Sequence, residues 1–269
     1  MVASGAADDA CLVRHIPRKR FGQNFLIDDS VVAAIVDSVA PQRGDPMVEI
    51  GPGMGALTRP LTSRLDHLHV IEIDRDIIAW LKTEFSADNV TIHSGDALRF
   101  DFGTLGARLR VVGNLPYNIS TPLLFQLASH ASTIRDIHVM LQKEVVERMV
   151  AAPSTSEYSR LSVMLQYRFE MERILDVPAA AFDPAPKVES AVVRLTPFAR
   201  TPHPARDEDT LGKIVAAAFS QRRKTLRNAL KGHFEAAELE RLGVDAGLRA
   251  QDLAVADFVR LANAAAGRG

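Results

Sequence analysis

Apolar and polar positions along the chain alternate between two periods. Residues 28–39 (DDSVVAAIVDSV) carry apolar side chains at helical spacing behind an Asp/Ser start, which predicts a helix closed by Pro41 and Pro46. Residues 47–50 (MVEI) are a short apolar run ending in GPGMG, and helical spacing returns over 56–65. The exchange then repeats. Strands are predicted over 67–73 (HLHVIEI), 90–93 (VTIH), 109–112 (LRVV) and 137–141 (IHVML), with helices over 75–85, 121–128 and 143–151. This rhythm predicts βα units in a parallel sheet with helices on both faces, an α/β class of Rossmann-like type.

After residue 158 the pattern changes. A helix over 159–169 (SRLSVMLQYRF) precedes two strand-like runs, 172–177 and 191–195, separated by the proline stretch FDPAPKVES. Residues 196–209 (TPFARTPHPARDED) hold three prolines and no apolar period, which predicts a linker. Everything beyond reads as helix, with a long amphipathic one over 211–230. The expected organisation is a flexible tail (1–17), an α/β domain (18–198) and a small all-helical domain (205–269).

Composition narrows the class. Hydrophobic residues are 47% and charged residues 24% of 269, so neither whole-chain disorder nor a collagen-like chain fits. No run of about 18 apolar residues predicts a membrane span. The N-terminal stretch has early acids and late bases, the reverse of a secretory leader. The single cysteine, Cys11, excludes a disulfide framework and a Cys-based metal site, and fits the cytosol. None of the eight histidines shows paired metal-ligand spacing on a helix, so no metal is expected; His67 and His69 read as alternating strand positions. The net charge of -1 says nothing about nucleic acid, but clustering does. Residues 14–20 (RHIPRKR) hold four bases and no acid, and residues 211–235 hold six bases against Glu235. Such patches act within roughly 10 Å.

Gly51, Gly53 and Gly55 follow a strand and open a helix, which lets the backbone turn sharply and approach a ligand. The loop alone also satisfies a nicotinamide-dinucleotide fingerprint, with Glu72 near the ribose spacing. Glu72 ends the second strand of the series, where a carboxylate can accept both ribose hydroxyls. Asp96 ends the third, where it can accept from an adenine amino group. Loop and acids together bracket one nucleoside. Asn114-Leu115-Pro116-Tyr117 follows the fourth strand. An adenine amine is a poor nucleophile because its lone pair is delocalised into the ring. The Asn114 side-chain oxygen and the Leu115 carbonyl can accept both N–H bonds, since a carbonyl accepts and cannot protonate the amine. Pro116 stiffens the corner. Tyr117 offers a ring face to a base, and Phe182 is the candidate for the other side of that sandwich.

With these residues assembled, the sequence resembles the KsgA/RsmA family of small-subunit ribosomal RNA adenine dimethyltransferases, relatives of the erythromycin-resistance methylases. The matching stretches are FGQNFL (21–26), VEIGPGMGALT (48–58), VIEID (70–74), SGDAL (94–98), GNLPYNISTPL (113–123), MLQKEVVERM (140–149), FDPAPKVESAVVRL (182–195) and QRRKTLRNAL (221–230). The resemblance implies a class I methyltransferase domain and S-adenosylmethionine as cofactor. It implies that Asn24, Leu26, Gly51, Gly53, Glu72, Asp96 and Asn114 contact that cofactor. The implied substrate is two adjacent adenosines in a hairpin loop near the 3′ end of small-subunit ribosomal RNA, each methylated twice on N6. Residues 205–269 become an RNA-binding domain, with Arg222, Arg223, Lys224 and Arg227 as candidate phosphate contacts; on the helix expected over 211–230, spacings of three and four put Arg223, Arg227 and Lys231 on one face, with Lys224 beside them. A cytoplasmic monomer, working on the small subunit without membrane or metal, is expected. A methyl sulfonium is already an activated electrophile, so direct displacement needs neither metal nor general base, and catalysis is positioning and electrostatics. Three other readings stay open on sequence: a DNA adenine or glutamine-amide methyltransferase, which usually has a proline where Leu115 stands; a nicotinamide oxidoreductase; and a non-catalytic RNA-binding assembly factor.

Overall fold

The computed structural model describes residues 23–267. The expected tail, Cys11 and the basic run 14–20 lie outside the described residues. Helix α1 (Asp29–Val39) starts where the carboxylate of Asp28 accepts the amides of Ser30 and Val31 at 2.9 and 3.2 Å. It ends at Ala40, whose left-handed backbone returns an N–H to the Val36 carbonyl.

Seven strands form one sheet in the order β4 (Val90–Ser94), β3 (Leu68–Glu72), β2 (Met47–Ile50), β5 (Leu109–Asn114), β6 (Ile134–Gln142), β9 (Ser190–Pro197) and β7 (Phe169–Val177). The first five are parallel, and β9 and β7 close the sheet antiparallel. A separate two-stranded sheet pairs β1 (Phe25–Leu26) with β8 (Phe182–Asp183). Neither short strand is legible from periodicity, because two residues carry no period.

Alternation sends successive side chains to opposite faces. Val48, Ile50, Ile71, Val111 and Val139 join α4 (Ser120–Ser129) and α5 (Lys143–Val150) in one buried cluster. Met47, Val70, Val112 and Met140 join α1, α2 (Thr58–Thr62) and α3 (Arg75–Glu84) in the other. Helix α2 is shorter than the predicted 56–65. The glycine loop runs on to Leu57, and Pro60, which lacks an amide hydrogen, falls in the first turn, where none is needed.

Strand order reverses between β2 and β5, and the two backbones meet there. A Cβ on Gly113 would stand 2.4 Å from the Ile50 carbonyl oxygen. Neither partner is a flexible side-chain end. Gly113→Ala is therefore expected to cost about 2–3 kcal/mol through overpacking. On a chain this size that lowers Tm by roughly 4–12 °C. An unchanged calorimetric Tm would mean that β2 and β5 part at no cost.

A third cluster holds α7 (Glu208–Phe219), α8 (Leu226–Ala229), α9 (Ala236–Arg241) and α10 (Val255–Ala266). It also takes in Tyr158, Val163 and Tyr167 from in and around α6 (Arg160–Gln166). The stretch predicted as a linker is tied down: the Tyr167 hydroxyl accepts from the Ala205 amide, and Asn263 accepts from that of Arg206. The single helix predicted over 211–230 is incorrect. It ends at Phe219, residues 220–225 turn, and only Leu226–Ala229 is helical again. The amides of Leu226 and Arg227 bond to the carbonyls of Leu248 and Ala246, and Thr225 bridges to Arg249. Those bonds to a distant segment replace the i→i−4 bonds a continuous helix would make. Arg223, Arg227 and Lys231 consequently do not share a helix face. The apolar reading of the stretch survives: Leu226 and Leu230 are fully buried.

Candidate active site

The reversal of strand order opens a cavity at the carboxyl ends of β2 to β5, the position where open α/β sheets take ligands. Asn24, Leu26, Gly51, Gly53, Glu72, Asp96, Asn114, Leu115, Pro116 and Tyr117 all line it. Their order along the cavity follows from topology, since β4, β3, β2 and β5 each deliver their last residue or the next loop to one rim.

Beyond β2 the chain turns through left-handed backbone at Gly51 and Gly53 (φ 68° and 53°). The Gly53 site is crowded as well, because a Cβ there would meet the Phe25 ring at 3.0 Å. Glu72 is 7% exposed, and its Oε1 accepts the amides of Ile73 and Asp74 at 2.7 and 2.8 Å. Burial pushes its carboxyl above the usual range, against the pull of those amides and that of Gly53. Asp96 accepts the Leu98 amide at 3.0 Å and so caps a short 3₁₀ turn on the rim.

The Asn114 side-chain nitrogen donates to the Asn24 carbonyl at 3.0 Å. A carbonyl only accepts, so this bond fixes the amide's orientation and leaves Oδ1 as the acceptor end. The Leu115 amide donates to Met140 at 3.1 Å, holding the corner to β6. Among the described residues the Leu115 carbonyl receives no hydrogen bond. Two acceptors without partners among those residues thus stand at adjacent positions, as an amine with two N–H bonds requires.

Tyr117 is half-buried, and its hydroxyl shares a 2.7 Å hydrogen bond with the fully buried Ser190 Oγ. Burial pushes the phenol up, so it stays protonated at neutral pH. The hydroxyl has a task the sequence did not disclose, which is to set the ring. Tyr117→Phe is expected to lose about one neutral hydrogen bond, roughly fivefold in turnover, with Tyr117→Ala far worse. Ser190→Ala should lose the same factor and add nothing in the double variant. Full activity of the Phe variant would show that the ring is set by packing alone. Phe182 is placed differently from its sequence reading. It is 3% exposed, pairs with Leu26 across the β1–β8 ladder, belongs to a core cluster and does not line the cavity.

Among the described residues three acids, Glu49, Glu72 and Asp96, line the cavity, and no Lys, Arg or His does. Glu49 was missed by sequence reasoning. Its signal was there: it is the one charged residue in a strand whose every position is buried. Ile73, 48% exposed, was missed too and adds an apolar wall beside Glu72. Among the described residues no three His, Cys, Asp or Glu side chains are grouped to hold a metal, and no helix is long and apolar enough to cross a membrane.

Away from the cavity, Arg222, Arg223, Lys224 and Arg227 are all exposed. The Arg222 guanidinium donates to the Ser156 carbonyl. Arg223, Lys224 and Arg227 have no acidic partner among the described residues.

The family profile described as "Ribosomal RNA adenine dimethylase" matches residues 14–267. A "Ribosomal RNA small subunit methyltransferase A" from Chromobacterium violaceum is 64% identical over 251 residues, covering 93% of this chain and 96% of that relative. The protein of the same name from Thiobacillus denitrificans is 63% identical over 91% of this chain and 96% of its own. Among solved structures, a dimethyladenosine transferase from Plasmodium falciparum superposes with a TM-score of 0.76 at 26% identity, over 88% of this chain and 95% of that one. The 23S rRNA methyltransferase ErmE superposes with a TM-score of 0.70 at 27% identity, over 89% and 98%. The fold is therefore that of the class I methyltransferases.

Proposed function

The chain belongs to the ribosomal RNA adenine dimethylase family, and from that premise we propose that it dimethylates, on N6, each of two adjacent adenosines in a hairpin loop near the 3′ end of small-subunit ribosomal RNA. The methyl donor is S-adenosylmethionine, which supplies an activated methyl group. The work takes place on the small subunit during its biogenesis, in the cytoplasm, by a monomer.

The observation that carries this reading is a cavity whose described residues combine three acids, no cation and two unpartnered acceptors at one corner. A nicotinamide dinucleotide brings an anionic pyrophosphate, which such a wall repels. A cofactor with a sulfonium and an ammonium is attracted by it. Glu72 takes the ribose hydroxyls, Asp96 the adenine amine, and the Gly51–Gly53 backbone with Asn24 and Leu26 encloses the rest. At the corner, Asn114 Oδ1 and the Leu115 carbonyl accept the two N–H bonds of the target amine and turn its lone pair toward the methyl group. Tyr117 stacks on the base, returning about 1–3 kcal/mol of the few spent on unstacking it. Phe182, held in the core at the β1–β8 ladder, is not called on for this stacking. The product amine is cationic and acidic, so water takes its proton. An assembly factor without activity would have no use for the acceptor corner.

The helical unit from residue 205 onward docks the RNA through Arg223, Lys224 and Arg227, with Arg222 bracing the turn that carries them. The deciding experiment supplies labelled S-adenosylmethionine and undermethylated small subunits, then maps the label. Label on two neighbouring adenosines of the small-subunit RNA is expected; label elsewhere, or none, overturns the reading.

A further inference from the structure

Glu49 stands in the cavity wall with no task in the methyl-transfer scheme. It is 1% exposed, and its Oε2 accepts from the Thr58 hydroxyl at 2.6 Å. Its neighbour Glu72 is served by backbone amides, whereas Glu49 has a single neutral donor. The groups facing it are few. Glu72 on β3 is the charged one, Thr58 comes from α2, and the residues paired with Glu49 across the sheet, Val70 on β3 and Val112 on β5, are apolar; Asp74 acts on Glu72 rather than on Glu49. Among the described residues no cation lines the cavity to offset either acid. A buried carboxylate beside another, without a counter-charge, is costly unless it is protonated or a cation arrives from outside. Burial, reinforced by the Glu72 charge and opposed by the Thr58 hydroxyl, pushes the Glu49 carboxyl up to about 7.

We propose that Glu49 is a proton-linked counter-charge for the cationic end of the cofactor: it releases its proton to solvent as S-adenosylmethionine enters, and so favours the sulfonium over the neutral thioether that methyl transfer leaves behind. The inference rests on the proposed cofactor. There Glu72 and Asp96 are occupied by the nucleoside, which leaves Glu49 as the remaining acid and the sulfonium and ammonium as the remaining charges. The sign follows from linkage. Below about pH 7 the unliganded protein carries the proton on Glu49, and a cation favours its loss. Affinity for S-adenosylmethionine therefore rises as pH rises through that value and is lost as pH falls. S-adenosylhomocysteine, lacking the sulfonium charge, responds less. Glu49 is thus a positioning and specificity residue acting on charge, with no bond made or broken on it beyond its own O–H.

The test is titration calorimetry of the full chain with S-adenosylmethionine and with S-adenosylhomocysteine, between pH 5.5 and 7.5, in buffers of different ionisation heat. The wild type is expected to bind S-adenosylmethionine roughly 25-fold more tightly at the upper pH, with close to one proton released per cofactor at the lower. The preference for the sulfonium should widen with pH. Glu49→Gln should flatten both trends. Thr58→Val, which removes the donor that holds the carboxyl down, should shift the midpoint to higher pH, and it serves should the Gln variant fail to fold. Binding by the wild type without proton release, or a pH trend that persists in Glu49→Gln and so belongs to Glu72, overturns the proposal. Failure of the wild type to bind S-adenosylmethionine at pH 7.5 would instead sink the cofactor reading itself.

Discussion

Asn114→Ala should lower turnover by roughly 10²–10³-fold, the usual consequence of deleting one preorganised polar contact to a developing charge. Small-subunit affinity should stay within about twofold, because phosphate contacts rather than base contacts dominate it. The structure sharpens why. The Asn114 amide is gripped at its nitrogen by the Asn24 carbonyl, so its oxygen is held in place before any base arrives. Alanine removes both halves of that arrangement. Single-turnover methylation with prebound subunits reads the chemical step apart from docking. Normal turnover by this variant would eliminate the acceptor-corner mechanism.

A second substitution separates the acceptor from its tether. Asn114→Asp keeps an oxygen for the target amine but sets a second oxygen against the Asn24 carbonyl. If orientation matters as the geometry indicates, Asp should rescue little. Its loss should also be accompanied by weaker cofactor binding, since the 24–26 segment borders the cavity.

The sheet was readable because buried parallel strands are short apolar runs with glycine and acid punctuation at their ends. β2 has the bounds its pattern predicts, and β3 and β5 differ at their ends by one or two residues. What failed to show has physical causes. Periodicity cannot resolve β1 and β8, which exist only as partners of one another. The break after Phe219 comes from hydrogen bonds to residues 246–248, a pairing invisible to a local window. Buried charges also hid. Arg110 is 5% exposed, its guanidinium taking Asp45, Asp136 and the Val39 carbonyl, yet in sequence it is one base in an apolar strand. Glu49 hid in the same way in β2. The candidate site was legible to the extent that its residues end strands. Phe182 lies in the two-residue strand β8, and its place in the core goes with its pairing to Leu26, which no local window shows.

Reversing Arg223, Lys224 and Arg227 to Glu should weaken small-subunit binding by at least tenfold near physiological salt and flatten its salt dependence. The slope should fall by roughly 0.7 for each phosphate no longer neutralised, so by about 2 if all three side chains touch phosphate. These three are exposed and carry no internal ion pair among the described residues, so no described acid competes with phosphate for them. They are displayed on a turn and the first residues of α8, a surface fixed by the Leu226–Leu248 and Arg227–Ala246 bonds beneath it. Arg222 differs. Its guanidinium holds the Ser156 carbonyl, so Arg222→Ala should loosen the join between the 152–157 loop and the turn without removing a full unit of salt slope. Cofactor affinity should not move in either variant, because no residue of this turn lines the cavity. If the triple variant binds subunits as the wild type does, and with the same salt slope, the patch is a solvated turn and the RNA docks on another face.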